Sequence, residues 1–264
     1  MSAFLLKVGV VFKIIGASIM ALFTAIGGIF GMTAETNDIC MIGHRGYSSK
    51  YPENTELAFV EAAKHGSGGA ETDVRITKDG VYVLSHNSEI ELQDGTTLKI
   101  IDHTYEELTA QPLKNSKTDD EVYICTFKRY LEVMKQYDMV CFIELKDSYT
   151  KDQVKEIFTI AEETYDLSKC ILQSFEPENL ISARELFPEL PLMLTYGQGQ
   201  DSYDVCFEYG FSIDVDYWVV TKEMVEEFHS RGLEVGVWTA NDPFTLAYAK
   251  SLGVDYIESD VFGG

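Results

Sequence analysis

The sequence predicts a (β/α)8 barrel preceded by one N-terminal transmembrane helix. A long apolar run without charge opens the chain. After it, short apolar runs of strand length alternate with amphipathic stretches of helical spacing. Eight strands with helices between them fit within residues 38–264, the pattern expected of a parallel barrel with helices outside. The spacing is also compatible with an open eight-stranded α/β sheet.

Residues 4–32 are nearly continuous apolar sequence, broken only by Lys7 and Lys13, and residues 14–32 carry no charge. At ~1.5 Å per residue that uncharged run spans roughly 28 Å as a helix, about one bilayer core. Both lysines precede the run. The positive-inside tendency then puts the N-terminus in the cytoplasm and the following domain on the extracellular side of the cell membrane, as a single-pass protein. The expected organisation is an anchor over residues 1–34 and a barrel over residues 38–264. The competing reading is a cleaved signal sequence and a secreted protein. A signal has a shorter apolar region, about 7–15 residues, and a small-residue cleavage site. Thr33-Ala34 and Ala25-x-Gly27 are poor matches to one.

Within the domain, strands are expected at residues 39–43, 70–76, 139–145, 170–174, 192–196, 212–215, 234–238 and 256–259. Helices are expected at 55–65, 127–137, 151–165, 177–187, 221–231 and 242–252. Asn54 stands where the first helix needs an N-cap, and Gly232 and Gly253 stand where C-caps are expected. Residues 81–85 read as an extra strand after the Lys78-Asp79-Gly80 turn, and residues 87–117 as a short, loop-rich excursion turning at Asp94-Gly95.

The formal net charge is −22, and residues 35–264 hold 19 basic against 43 acidic residues. Such a surface repels nucleic acid phosphates, so no nucleic acid partner is expected. An acidic protein acting on a phosphate ester needs local positive charge, and a bound divalent cation supplies it. The five cysteines are scattered and odd in number, which reads as buried thiols and argues against zinc.

Chemistry in a barrel sits where strands end at their C-terminal edge. His44 and Arg45 follow the first strand. Glu71 and Asp73 lie two apart on the second and so point the same way. Glu144 and Lys146 repeat that spacing on the third. His86 ends the extra strand, Gln173 the fourth and Trp238 the seventh. Three carboxylates converging in one mouth repel one another unless protonated or bridged by a cation. Oxygen ligands favour a hard ion, Mg2+ or Ca2+. Two histidines can exchange protons near neutral pH, and Arg45 and Lys146 can hold phosphate oxygens. The combination suits cleavage of a phosphodiester.

The run HRGYSSKYPENTELAF at 44–59 resembles the signature of the glycerophosphodiester phosphodiesterases, as do ETDVRITKDGVYVLSH at 71–86, IELK at 143–146, QSF at 173–175 and WTAN at 238–241. The resemblance covers about 40–260 and keeps the family's block order. It implies a (β/α)8 barrel that hydrolyses small-molecule or polymeric glycerophosphodiesters to glycerol 3-phosphate and an alcohol. Carried over by match, it implies Glu71, Asp73 and Glu144 as ligands of one divalent cation, and His44 and His86 as the acid–base pair. Arg45 and Lys146 would bind phosphate, and Trp238 would line the pocket.

Two departures stand out. His86 is followed by Asn87 where the family usually has Asp, and the usual Thr-Asp-Pro near the end is replaced by Glu258-Ser259-Asp260 followed by Val261. Alternative functions are a lyase that forms a cyclic phosphate with the same residues, and a non-catalytic phosphodiester-binding protein.

Overall fold

The computed structural model describes residues 39–262. The residues of the expected anchor lie outside that range. Among the described residues, no helix is long and apolar enough to cross a membrane.

Eight parallel strands form a closed barrel: β1 (Cys40–Gly43), β2 (Gly69–Ile76), β6 (Val140–Leu145), β7 (Cys170–Ser174), β8 (Leu192–Tyr196), β9 (Ser212–Asp216), β10 (Val235–Trp238) and β11 (Tyr256–Ser259). Closure is direct, because β1 pairs in parallel with both β11 and β2. This excludes the open sheet. The expected extra strand is present as β3 (Tyr82–Leu84), and it pairs antiparallel with the far end of β2.

Strand alternation decides which residues face the lumen. Outward positions such as Val74, Ile143, Leu145, Leu172, Leu194, Ile213, Val215, Val237 and Ile257 belong to the main core between sheet and helices. Helix Phe127–Tyr137 adds Phe127, Tyr130, Leu131 and Met134 to that layer. Inward positions split by depth. Ile42, Phe142, Ile171 and Met193 make a small apolar plug low in the barrel. Two residues further along each of these strands the lumen turns polar, at His44, Glu144, Gln173 and Thr195.

Most element boundaries fall within a residue or two of expectation, with three differences. The cap of helix Glu56–Lys64 is Thr55, whose hydroxyl accepts from the Ala58 amide, and not Asn54. Asn54 is turned inward, at φ 56°. A short helix, Asp204–Tyr209, follows β8; its six residues are too few to show a periodicity. The excursion after His86 has structure of its own. The hairpin of β4 (Glu89–Glu91) and β5 (Thr97–Lys99) and helix Tyr105–Leu108 enclose Val83, Ile90, Leu92, Ile100, Leu108 and Ile124. The five cysteines are free thiols, four buried and Cys40 half-buried.

The turn after β1 is locked against helix Glu56–Lys64. Gly46 has φ +81°, and a Cβ there would lie 2.6 Å from the Ala58 backbone. Gly80 has the same backbone sign, φ +82°, with open space around it. Gly80→Ala should therefore cost only the left-handed penalty, about 1–2 kcal/mol. Gly46→Ala should cost a further ~1–3 kcal/mol for overpacking. Urea unfolding of the two variants measures the gap, and equal losses would show that the turn does not pack against the helix.

Candidate active site

The upper lumen concentrates acid. Glu71 and Asp73 from β2, Glu144 from β6, Asp214 from β9 and Glu258 from β11 are all buried. Burial, then the charges of Asp73, Glu258 and Glu144, pushes the Glu71 carboxyl well above the usual range. Burial and then Asp73 push Glu144 the same way. The Asp214 and Glu258 carboxyls are also raised, burial again being the first cause. The Gln173 amide bridges this second pair, its Nε2 donating to Asp214 Oδ2 at 2.8 Å and to Glu258 Oε1 at 2.9 Å.

Glu71, Asp73 and Glu144 form a separate group, each offering an oxygen within 4.8 Å of the others. Glu71 Oε1, Asp73 Oδ1 and Glu144 Oε1 are buried without a hydrogen-bond partner. Lys146 Nζ lies 2.9 Å from Glu144 Oε1 and 3.5 Å from Asp73 Oδ1 as an ion-pair contact. Buried polar atoms are ordinarily satisfied. Three buried carboxylate oxygens converging from neighbouring strands, two of them met only by Lys146, fit a hard divalent cation. Glu71 also belongs to a second possible ligand group with His44 and Glu258.

The turn after β1 brings Arg45 onto this group. Its positive φ of 57° aims the backbone N–H at Glu71 Oε2, 2.9 Å away. The guanidinium leans on Glu53 at 3.2 Å and on Asp73 Oδ2 at 3.4 Å. Asn54 braces the same carboxylate. Its Nδ2 donates to Asp73 Oδ2 at 2.7 Å, while its Oδ1 accepts from the Thr72 hydroxyl and the Asp73 amide. Asp73 Oδ1 is thereby left as the oxygen free to bind. Asn54 is thus a positioning residue, and its sequence signal was misread because Asn before a helix is ordinarily a cap.

The two histidines are held differently. His44 Nδ1 meets Asp260 Oδ1 at 2.7 Å. Asp260 also accepts from Ser48 Oγ at 2.8 Å and from Asn241 Nδ2 at 2.6 Å. His86 Nδ1 meets the Asn87 amide oxygen at 3.1 Å, so Asn87 occupies the orienting place that a carboxylate would take. Burial first, and then the Arg45 charge, lower the pKa of His86. Arg75 fixes its backbone, donating to the carbonyls of Ser85 and His86 while pairing with Asp147. Arg75 does not pair with Glu71 or Asp73.

Trp238 stands at the rim. Its Nε1 donates to the Asp214 carbonyl at 3.2 Å, and Phe175 meets its ring edge-on at 5.9 Å. The structure thus gathers all eight singled-out residues around one mouth. Sequence reasoning gave no role to Asp214 or Asp260 and took Asn54 for a helix cap. Asp214 was legible in principle, since it falls on the inward alternation of β9, whereas Asp260 lies just past the end of β11. A larger cavity, about 520 Å³, lies outside the barrel beside helix Glu56–Lys64, and none of the acidic lumen residues line it.

Burial opposes ionisation of Asp260, but the hydrogen bonds and charge around it, His44 foremost, hold its carboxyl at about 2. An unfolded Asp titrates near ~3.9. The folded state therefore binds fewer protons between those values, and stability falls as pH drops through them. In urea unfolding, the deficit of Asp260→Asn relative to the parent chain should be constant above about pH 5 and shrink toward pH ~2. A deficit independent of pH would show that the Asp260 charge contributes nothing.

The family model described as the glycerophosphoryl diester phosphodiesterase family matches residues 44–263. A glycerophosphodiester phosphodiesterase of Bacillus altitudinis is 28% identical over 229 residues, covering 83% of this chain and 94% of that one. The crystal structure of a glycerophosphodiester phosphodiesterase from Thermotoga maritima superposes with a TM-score of 0.67 at 27% identity, covering 84% of this chain and 94% of that one. An Oleispira antarctica phosphodiesterase, solved in complex with the product sn-glycerol-3-phosphate, has the same fold, with a TM-score of 0.73, 22% identity and coverage of 84% and 92%. The barrel, the ordered motif blocks and the family match over residues 44–263 place this chain in the glycerophosphoryl diester phosphodiesterase family, as a phosphoric diester hydrolase.

Proposed function

We propose that the chain hydrolyses glycerophosphodiesters to glycerol 3-phosphate and an alcohol, with one divalent cation, Mg2+ or Ca2+, and two histidines that move protons. The observation that carries this reading is the convergence of buried oxygens of Glu71, Asp73 and Glu144, with His44 beside Glu71. The product bound in the Oleispira antarctica phosphodiesterase supports the class of product.

Glu71, Asp73 and Glu144 would hold the cation. When bound, it would polarise a phosphoryl oxygen and offset charge developing on phosphorus. Arg45 and Lys146 bind the remaining phosphate oxygens. Neither is free in this structure, since each leans on the carboxylates. The acid group and the two bases thus hold one another in place until substrate and cation share them.

The hydrogen-bond partners distinguish the histidines. An amide oxygen accepts but carries no charge, so Asn87 fixes one tautomer of His86 with a proton on Nδ1 and a lone pair on Nε2. That ring is suited to take the proton from the attacking oxygen. His44 is backed by a carboxylate, the arrangement that steadies an imidazolium. We assign it the proton delivered to the leaving alkoxide.

Activity on glycerophosphodiesters should vanish in a chelator and return with Mg2+ or Ca2+. His44→Ala and His86→Ala should each lower kcat at least about 10²-fold. On a substrate with a good leaving group, only His44→Ala should regain most of its rate, because little protonation is needed there. Full turnover in a chelator refutes the cation. Recovery by His86→Ala in place of His44→Ala reverses the assignment. A cyclic phosphate in the phosphorus NMR spectrum of the product identifies a lyase.

We also propose that residues 4–32 hold the domain at the cell membrane with the barrel on the extracellular side. The uncharged run and the lysines before it support this. The full-length protein should stay in the membrane fraction through a carbonate wash. A soluble product beginning near Glu35 would establish secretion after cleavage.

A further inference from the structure

His44, Glu71 and Glu258 each offer a ligand atom within 4.8 Å of the others. Of these, only Glu71 is shared with the group that includes Asp73 and Glu144, and no cysteine belongs to either group. Glu258 lies outside the motif blocks that carry the family resemblance. The trio therefore contains a residue that those motifs do not supply.

Each member is held at one atom and has another left. Asp260 takes His44 Nδ1 at 2.7 Å, and Asp260 is itself fixed by Ser48 and Asn241. The Arg45 amide takes Glu71 Oε2 at 2.9 Å, and the Gln173 amide takes Glu258 Oε1 at 2.9 Å. His44 Nε2, Glu71 Oε1 and Glu258 Oε2 remain. Glu71 is 2% exposed, and among the described residues its Oε1 has no hydrogen-bond partner. A histidine that binds a metal ordinarily gives its other ring N–H to a carboxylate, carbonyl or water, and ligating carboxylates are ordinarily hydrogen-bonded in turn. His44 has the carboxylate, and both glutamates have the hydrogen bond. His86 meets an amide oxygen and, among the described residues, belongs to no such group.

The donor set selects the ion. Glu71, Asp73 and Glu144 offer oxygen alone and suit a hard cation. Exchanging one oxygen for an imidazole nitrogen shifts the preference to a borderline metal such as Zn2+ or Co2+. We propose that His44, Glu71 and Glu258 form a second cation site, for a transition-metal dication of the Zn2+ class, and that filling it inhibits the chain. Glu71 is the carboxylate common to both groups. With Nδ1 committed to Asp260, Nε2 is the atom through which His44 can deliver a proton. A metal on that nitrogen takes the proton's place. Mg2+ and Ca2+ leave it free, because hard ions prefer oxygen. The inhibition rests on the hydrolase reading above, whereas the site itself does not.

The test measures Zn2+ binding to the full chain in excess Mg2+, by competition with a chromophoric chelator. The parent chain should hold Zn2+ without releasing Mg2+. Glu258→Gln, which keeps an oxygen for Gln173, and His44→Gln should each weaken Zn2+ at least about tenfold. Glu144→Gln, which lies outside the trio, should weaken Mg2+ more than Zn2+. Co2+ in place of Zn2+ should give a paramagnetically shifted imidazole N–H signal in the proton NMR spectrum, absent from His44→Gln. In turnover with Mg2+, Zn2+ should slow the parent chain, and Glu258→Gln should need at least about ten times more Zn2+ for the same fractional slowing. Equal Zn2+ affinity in the parent chain and both trio variants, or Zn2+ and Mg2+ that displace one another at one site, overturns the second site. Zn2+ bound through the trio with no slowing of turnover overturns the inhibition. A chain that binds Zn2+ through the trio but cleaves no glycerophosphodiester with any metal supports the site and refutes the hydrolase reading.

Discussion

The rest of the structure is arranged around repulsion among carboxylates in a closed lumen. Five acidic side chains are buried on inward positions of four strands, where water cannot screen them. Charges brought that close in a medium of low dielectric are costly unless paired or protonated. The fold answers in two ways. Asp214 and Glu258 share the Gln173 amide and are pushed toward their neutral forms. Glu71, Asp73 and Glu144 are instead brought against Arg45 and Lys146, and Glu71 Oε1 is left with no partner. The first arrangement still leaves Asp214 Oδ1 without a hydrogen bond. The second is the group assigned to the proposed cation.

That division explains the supporting residues. Asn54 and the Arg45 amide each occupy one carboxylate oxygen and leave the other open, so hydrogen bonds on the outer side select which oxygens face inward. Both come from one segment, the turn between β1 and helix Glu56–Lys64, which is closed by the contact of Gly46 with Ala58. A backbone feature with no chemistry of its own thereby sets the geometry of the acidic group. Each histidine is oriented by a residue outside that group, His44 by Asp260 and His86 by Asn87.

Asn87 illustrates why a motif departure need not mean a lost function. An amide oxygen orients an imidazole as a carboxylate does, but without its charge. The ring keeps its aim, and the change falls on its protonation. Burial and the Arg45 charge act in the same direction, toward the neutral form.

The order and approximate limits of the barrel strands were set by sequence alone, because strand alternation and helix periodicity are local properties of a chain. So was the pairing of Glu71 with Asp73, and of Glu144 with Lys146, since residues two apart on a strand share a face. Closure was expected from the eightfold pattern, but spacing alone left an open sheet in place, because closure depends on β1 finding β11, with Cys40 pairing Tyr256 far along the chain. The contacts that orient the site were not legible. His44 meets Asp260, Asn54 meets Asp73, and Gln173 meets Asp214 and Glu258. Each joins residues whose types suggest other roles, a cap in the case of Asn54 and a chain-end loop in the case of Asp260. A side chain's partners are fixed by which strands become neighbours and how deep each residue sits. Those are properties of the closed barrel, and no segment of sequence holds them by itself.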